Sequence, residues 1–492
     1  MITSRHIFLA IAAISAVFNV FAQKDGMNLY TDSLHFPFTL GVCSGDPLPD
    51  GVILWTRIES PRESETVYWE ISTDSTFTKD VRKGTEITTR SSDYTLKPDV
   101  RSLLPGTIYY YRFTDEKGRR SVTGRTKTAP TGSVEHLRFA VASCSSLFSG
   151  YFNAYRRISE RKDLDLVIHL GDYIYDYPDE DEMFRIPKPF PEEPKSLDTW
   201  RGRHKLYLQD PDLRAARGAH PWVVLWDNHD IEALRKKDDK GSVQAFLDYL
   251  PIRLPDPGVP QKIFRSLEFG TLLHLLMMDI QQYQRTDTIH LLLGAGQWNY
   301  VRSDLRTSKA QWNIIGNQKP MSGWSFFGSK KLRYSSSSWD GYDRERLRWY
   351  DFLDSAKIKN VLVLSGDAHV SLAANMVRKP FSPGYIFCRK GCVGAEFLPT
   401  SISRGNLDEM GIGGPLAWIS AFSSRKANPH HTYTDLTRHG YGILDITHDR
   451  IIAEYYYSKL KRKTDKERFG AGLVLKAGRN YWCRYRRFRP VQ

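Results

Sequence analysis

Cysteine is scarce in this chain: five among 492 residues, at Cys43, Cys144, Cys388, Cys392 and Cys483. An odd number leaves at least one thiol unpaired or otherwise employed, so disulfide pairing alone cannot account for them. Cys388 and Cys392 stand close enough in sequence to pair, with geometry left open. Beyond Ala22 no apolar run has membrane-spanning length. There is no internal repeat, and the glycines around Gly294-Ala295-Gly296 and 411–414 are too weak a motif for a nucleotide-binding loop. Carboxylates are in deficit, 56 Asp and Glu against 70 Lys and Arg, a formal charge of +14. That balance attracts anions but specifies no nucleic acid. Solvated basic faces are the ordinary reading of runs such as Lys459-Leu460-Lys461-Arg462-Lys463. Attraction to a polyanionic substrate or an anionic membrane surface is the sharper one.

What is present suits a soluble globular protein of two or three domains: 41% hydrophobic and 26% charged residues on a long chain. Residues 1–22 read as a secretory signal peptide. Arg5 and His6 form the charged start, Ile7 to Val20 the apolar stretch, and Val20-Phe21-Ala22 the cleavage site. The expectation is export, periplasmic or secreted, with cleavage near Ala22; an uncleaved anchor is the alternative.

Residues 36–130 read as a small all-β domain of the immunoglobulin or fibronectin kind. Val52 to Thr56, Val67 to Ile71 and Ile108 to Phe113 are strand-like, and turns such as Pro49-Asp50-Gly51 and Pro105-Gly106-Thr107 separate them. Ala129-Pro130-Thr131-Gly132-Ser133 reads as a linker. From 135 to 458 the pattern becomes strand, loop, helix, the α/β order that puts chemistry at strand ends. Leu137 to Ala142 is a strand, Phe152 to Arg161 a helix, Ala310 to Asn317 a strand into a polar loop, and Arg344 to Ala356 a helix. Residues 459–492 read as a basic C-terminal segment.

Three apolar runs end abruptly in polar clusters. Leu164 to Leu170 leads into Gly171-Asp172-Tyr173-Ile174-Tyr175, Trp222 to Trp226 into Asp227-Asn228-His229-Asp230, and Val361 to Leu364 into Gly366-Asp367-Ala368-His369. Hydrolysis at a pair of metals needs a bridging carboxylate, further oxygen and imidazole ligands, and an acidified water. Asp172 is placed to bridge, Asn228 offers a neutral amide oxygen, His369 binds a metal, and Asp367 binds or orients the second. His229 is the candidate acid: a carboxylate near its ring would fix the tautomer and keep it protonated. Cys144, in Ala142-Ser143-Cys144-Ser145-Ser146, ends another strand; with the phenol of Tyr175 it offers a donor pair suited to ferric iron.

The stretch Phe38 to Pro47 running to Leu54-Trp55-Thr56-Arg57, together with Ser143-Cys144, Gly171 to Tyr175, Trp226 to Asp230, Trp339-Asp340-Gly341-Tyr342 and Ser365 to His369, resembles the PhoD-type alkaline phosphatases. These belong to the calcineurin-like metallophosphoesterases. The resemblance implies an α/β (α+β) metallophosphoesterase sandwich behind the β domain. It implies ferric iron at Cys144, Asp172, Tyr175 and His369, and calcium at Asp172, Asn228 and Asp367. Two departures stand out. The family commonly has Asp-Asp-His-Glu where this chain has Asp227 to Asp230, so one negative charge is missing at Asn228. Asp279 to Gln284 lacks the two arginines of the family's Asp-Thr-Arg-Gln-Tyr-Arg. Asn428 and His430 lie in a later stretch that resembles the family again.

The expected function is an exported phosphoester hydrolase. A metal-bound hydroxide attacks phosphorus in line beside Asp172, and His229 serves the phosphate or the leaving oxygen. Its substrates are phosphomonoesters or phosphodiesters, with contact to anionic membrane or wall polymers. Two alternatives are a non-catalytic, secreted polyanion-binding protein and a dinuclear phosphoesterase of other divalent metals in which Cys144 is structural.

Overall fold

A computed structural model describes residues 27–485 apart from 178–184, 188, 232–240, 257, 260–261, 284–290, 326–334, 410 and 412. The expected signal peptide and the basic residues 486–492 lie outside the described residues. Two large sheets face one another. At the centre of the first, His136–Ala142, Leu166–His169, Pro221–Val224 and Val42–Leu48 run parallel. At the centre of the second, Leu273–Met277, Trp312–Asn317, Val361–Ser365 and Cys392–Pro399 do the same. Parallel strands are covered on both faces, which explains their near-continuous apolar runs. The alternation within each run assigns the faces. Ile314, Leu362 and Leu364 join Phe139, Val141, Ile168 and Val223 in the core between the sheets. Ile315, Val361 and Val363 point outward. There they pack beneath Trp298, Val301 and Leu305 of helix Gly294–Thr307 and Trp349 and Leu353 of helix Asp343–Ser355. The strands and helices expected in the α/β region stand within a few residues of these bounds.

Both flanking regions are continuous with the first large sheet. The hairpin Val42–Leu48 and Gly51–Arg57, within the region expected to form a small all-β domain, pairs beyond that region. It extends the first large sheet, Ser44 lying opposite Pro221 and Gly45 opposite Trp222. Its other side packs on a separate sheet of Arg82–Thr89, Ser64–Ser72, Ile108–Asp115 and Gly124–Lys127. Val42, Val52 and Leu54 share one core with Val67, Ile71, Tyr111 and Phe113. A sandwich is present, but one of its layers is the first large sheet. The C-terminal segment is not an appendage either. Glu467–Lys476 pairs with Arg450–Ser458, and Trp482–Arg484 adds a further strand to the same sheet. The indole of Trp482 donates to the Glu396 carbonyl in the opposite sheet at 3.0 Å. All five cysteines are free thiols, Cys388 exposed and Cys43 and Cys144 buried.

Candidate metal centre

The parallel strands of both sheets deliver their ends to one place. Cys144 follows His136–Ala142, Asp172 follows Leu166–His169, Asn228 follows Pro221–Val224, and Asp367 and His369 follow Val361–Ser365. Each strand must turn sharply to aim a short side chain inward. Cys144, Asp172, Asp367 and His369 accordingly all carry positive φ, at 56°, 52°, 64° and 54°. Such backbone costs of order 1 kcal/mol or more per non-glycine residue and persists where the surroundings over-determine it. Gly171 (φ 106°) lets the Asp172 loop pass the Asp227 loop, since a Cβ there would sit 2.7 Å from the Asp227 Cβ.

One pole of the site gathers Cys144, Asp172, Tyr175 and His369. Ligand atoms of Cys144, Asp172 and His369 all lie within 4.8 Å of one another. Cys144 Sγ is 3.6 Å from Asp172 Oδ2. The Tyr175 hydroxyl donates to that same oxygen at 3.1 Å and lies 3.2 Å from His369 Nε2. Burial, reinforced by the Asp172 charge, pushes both the Cys144 thiol and the Tyr175 phenol well above their ordinary ranges. Burial pushes His369 down to about 4, leaving a neutral ring. Two acidic donors, a carboxylate and a neutral imidazole converge in a buried cluster. Removing the thiol and phenol protons there requires a strong local positive charge. This donor set fits a highly charged, thiol-tolerant cation. The Arg404 guanidinium lies over the Tyr175 ring, 4.7 Å from its centre.

The other pole differs from expectation. Asn228 and Asp367 do converge, but on a lysine. Lys319 Nζ donates to Asn228 Oδ1 at 2.9 Å and to Asp367 Oδ1 at 2.7 Å, with Asp227 Oδ1 at 3.5 Å. Burial opposes its charge, yet Asp227 and Asp367 outweigh burial and hold the ammonium above its ordinary range. Two of the three side chains expected at calcium, Asn228 and Asp367, already hold a cation of the chain's own, so the set does not fit calcium as it stands.

His229 lies between the poles. Its backbone N–H donates to Asp172 Oδ1 at 3.3 Å, and its ring lies tilted against that of Tyr175, centroids 4.2 Å apart. Its tautomer partner is Asp176, Oδ1 standing 2.7 Å from Nδ1. Burial disfavours the imidazolium, but Asp172 and the Asp176 bond prevail and raise the ring to about 9. The neighbouring Asp230 turns away. It accepts from the backbone N–H groups of Ile174 and Asp227 at 3.0 and 2.9 Å and so ties two ligand loops together.

Sequence reading missed four residues: Asp176, Lys319, Glu396 and Arg404. Lys319 follows the end of Trp312–Asn317, a strand already read as leading into a polar loop, so its position was the available signal. Glu396 is fully buried; it accepts from the N–H groups of Met321 and Ser322 at 2.6 and 2.7 Å and from the Ser365 hydroxyl at 2.7 Å. It thereby fixes the Lys319 loop to the strand end before Asp367. Asn428 and His430 brace another segment, through Ser325 and the Gly323 carbonyl. Asp340 of the Trp339 motif accepts from Trp324 N–H and Arg346, and Asp279 caps its own turn at the Gln281 N–H. Gln284 lies outside the described residues.

Residues 139–455 match the family model of PhoD-like phosphatase, and residues 26–130 match that of the PhoD-like phosphatase N-terminal domain. Alkaline phosphatase D of Bacillus subtilis (strain 168) is 36% identical over 417 residues, 75% of this chain and 70% of that protein. A solved structure of PhoD superposes with a TM-score of 0.80 at 31% identity, covering 92% of this chain and 93% of the other. A purple acid phosphatase from yellow lupin (Lupinus luteus) seeds shares the fold, with a TM-score of 0.56 at 12% identity over 89% of this chain and 73% of its own.

Proposed function

This chain belongs to the PhoD-like phosphatase family and is a phosphoric ester hydrolase, and on that premise we propose that it is an exported, metal-dependent enzyme whose essential cation is ferric iron. The observation that carries the reading is the convergence of Cys144, Asp172, Tyr175 and His369 in one buried cluster. A cation bound there would polarise a phosphate oxygen and acidify the attacking water. The remaining steps belong to side chains. Asp172 orients the cluster through Tyr175 and fixes the His229 backbone. His229, held protonated by Asp172 and Asp176, neutralises phosphate charge or gives its proton to the departing oxygen. Calcium, which the resemblance implies, is given no step, because Asn228 and Asp367 enclose Lys319.

Substrates are phosphomonoesters or phosphodiesters. Polyanionic ones, anionic membrane or wall polymers among them, are favoured by the formal charge of +14 and by a cavity of about 720 Å³ in which Lys459, Arg462, Lys466 and Arg468 outnumber Asp408, Glu409 and Glu467. Export rests on the pattern of residues 1–22, and N-terminal sequencing of the mature chain should begin near Gln23.

The test is turnover of a chromogenic phosphomonoester and a diester by purified protein, with elemental analysis of the same sample. Activity should disappear on chelation and fall by about 10³-fold or more in Asp172→Ala. A charge-transfer band in the visible should accompany iron. Active protein without iron would overturn the cofactor assignment, and full activity in Asp172→Ala would overturn the site.

A further inference from the structure

We propose that the Lys319 ammonium serves as the second cation of this site, so that the chain holds a single metal ion and offers the phosphate a lysine where a second metal would otherwise act. The inference rests on the metal reading of the cysteine pole given above.

Geometry carries it. Nζ stands 2.9 Å from Asn228 Oδ1 and 2.7 Å from Asp367 Oδ1. A calcium ion would need those same oxygens at about 2.3–2.6 Å, in a shell of six to eight. Ammonium and calcium cannot share that volume. The charge pattern agrees. Asn228 is neutral, which suits an N–H donor as well as it suits a metal, while the Asp367 carboxylate at 2.7 Å faces the ammonium and Asp227 lies 3.5 Å away.

The lysine is also built in. Its side chain is only 6% exposed. Its carbonyl is held by the Asn317 side chain. The turn that follows is anchored by both carboxylate oxygens of Glu396, at 2.6 and 2.7 Å. A solvent-seeking lysine does not bury itself without cause, since burying an ammonium costs several kcal/mol unless opposing charge offsets it. An ammonium has three donors. Two are engaged by Asn228 and Asp367, and Asp227 at 3.5 Å is too far for a good hydrogen bond. The third is available to a phosphoryl oxygen, where a compact point charge stabilises developing negative charge.

The experiment is calcium titration of the iron-loaded protein by calorimetry, with metal counted by elemental analysis. Wild type should hold about one metal per chain and take up no calcium at millimolar concentration, the weak end of protein calcium sites. Lys319→Ala combined with Asn228→Asp, which empties the position and restores a carboxylate, should take up one calcium. Lys319→Arg should keep the count at one. Lys319→Ala alone should lose about 10²-fold in kcat/KM, and millimolar calcium should return part of the activity in the double variant while leaving wild type unchanged. Iron and calcium together in wild type would overturn the inference. So would a double variant that binds no calcium, because the position would then be no cation site. Active protein without iron is a different failure: it removes the cysteine pole and leaves the calcium titration of wild type still readable.

Discussion

The two poles of the site lie at the same end of the facing sheets, yet they are built on opposite electrostatic plans. The Cys144 pole collects proton-bearing donors and a neutral imidazole. Burial and Asp172 raise the thiol and phenol, so their deprotonation awaits an external positive charge. The Lys319 pole supplies its own positive charge, satisfied within the chain by Asn228 and Asp367. On the reading proposed above, the first half would draw on a supplied cation while the second carries its own. Such a site would keep two centres of positive charge around phosphate while drawing on metal for only one.

The sharpest way to break this contrast is Cys144→Ser. The variant keeps the volume but offers a hydroxyl in place of sulfur, so iron content and the visible band should be lost, with activity falling about 100-fold or more. Retention of iron with full activity would mean the sulfur is packing.

The next largest effect concerns His229, which sits between the poles. Its ring is raised to about 9, so the protonated form persists below that pH and is lost above it. Activity that uses the proton should fall on an alkaline limb near 9. Asp176→Asn should move the limb to lower pH, while Asp172 keeps it above the ordinary histidine range. An unmoved limb in the kcat/KM profile would exclude Asp176 as the partner that matters.

Glu396→Gln should act on the lysine pole alone. It weakens the anchor shared by the Lys319 turn and Ser365, at a cost of about 1–3 kcal/mol in stability and roughly tenfold in kcat, with iron content unchanged. Iron loss in this variant would show the poles are coupled.

The smallest effect on activity is spread through the scaffold, where it is read in stability alone. Burial depresses His169 and His204 to about 3, His220 and His430 to about 4, and His431 further. Each contributes stability that is whole above the unfolded pKa of roughly 6.5 and is lost as pH falls toward the folded value, by about 1.4 kcal/mol per pH unit per ring. Thermal midpoints should drop between pH 6.5 and 4. His169→Gln should flatten that slope, and an unchanged slope would place the acid sensitivity elsewhere.

Much of the site was legible because an apolar run that stops at a charged residue is a local pattern. Asp172, His229, Asp367 and His369 each stand within five residues of such a stop. Lys319 was not, because a lysine in a loop ordinarily reads as solvated. Only the three-dimensional meeting of its strand end with those of Asn228 and Asp367 gives it partners. Glu396 is hidden in the apolar run Val393 to Leu398, where a lone acid carries no sign of the three donors around it. The allegiance of the Val42–Leu48 hairpin was equally unreadable: its parallel partner Pro221–Val224 is remote in the chain, and strand pairing across such separations leaves no periodic trace.

The strand that carries Cys144 has Leu166–His169 on one side and His439–Thr447 on the other, and the sheet then continues outward to Trp482–Arg484. A growing polypeptide thus reaches its final turns before the layer beneath the cysteine can close. Such distant pairing slows folding and keeps partly made chains open. The layer beneath Cys144 therefore closes late in folding, because it waits for His439–Thr447 to arrive.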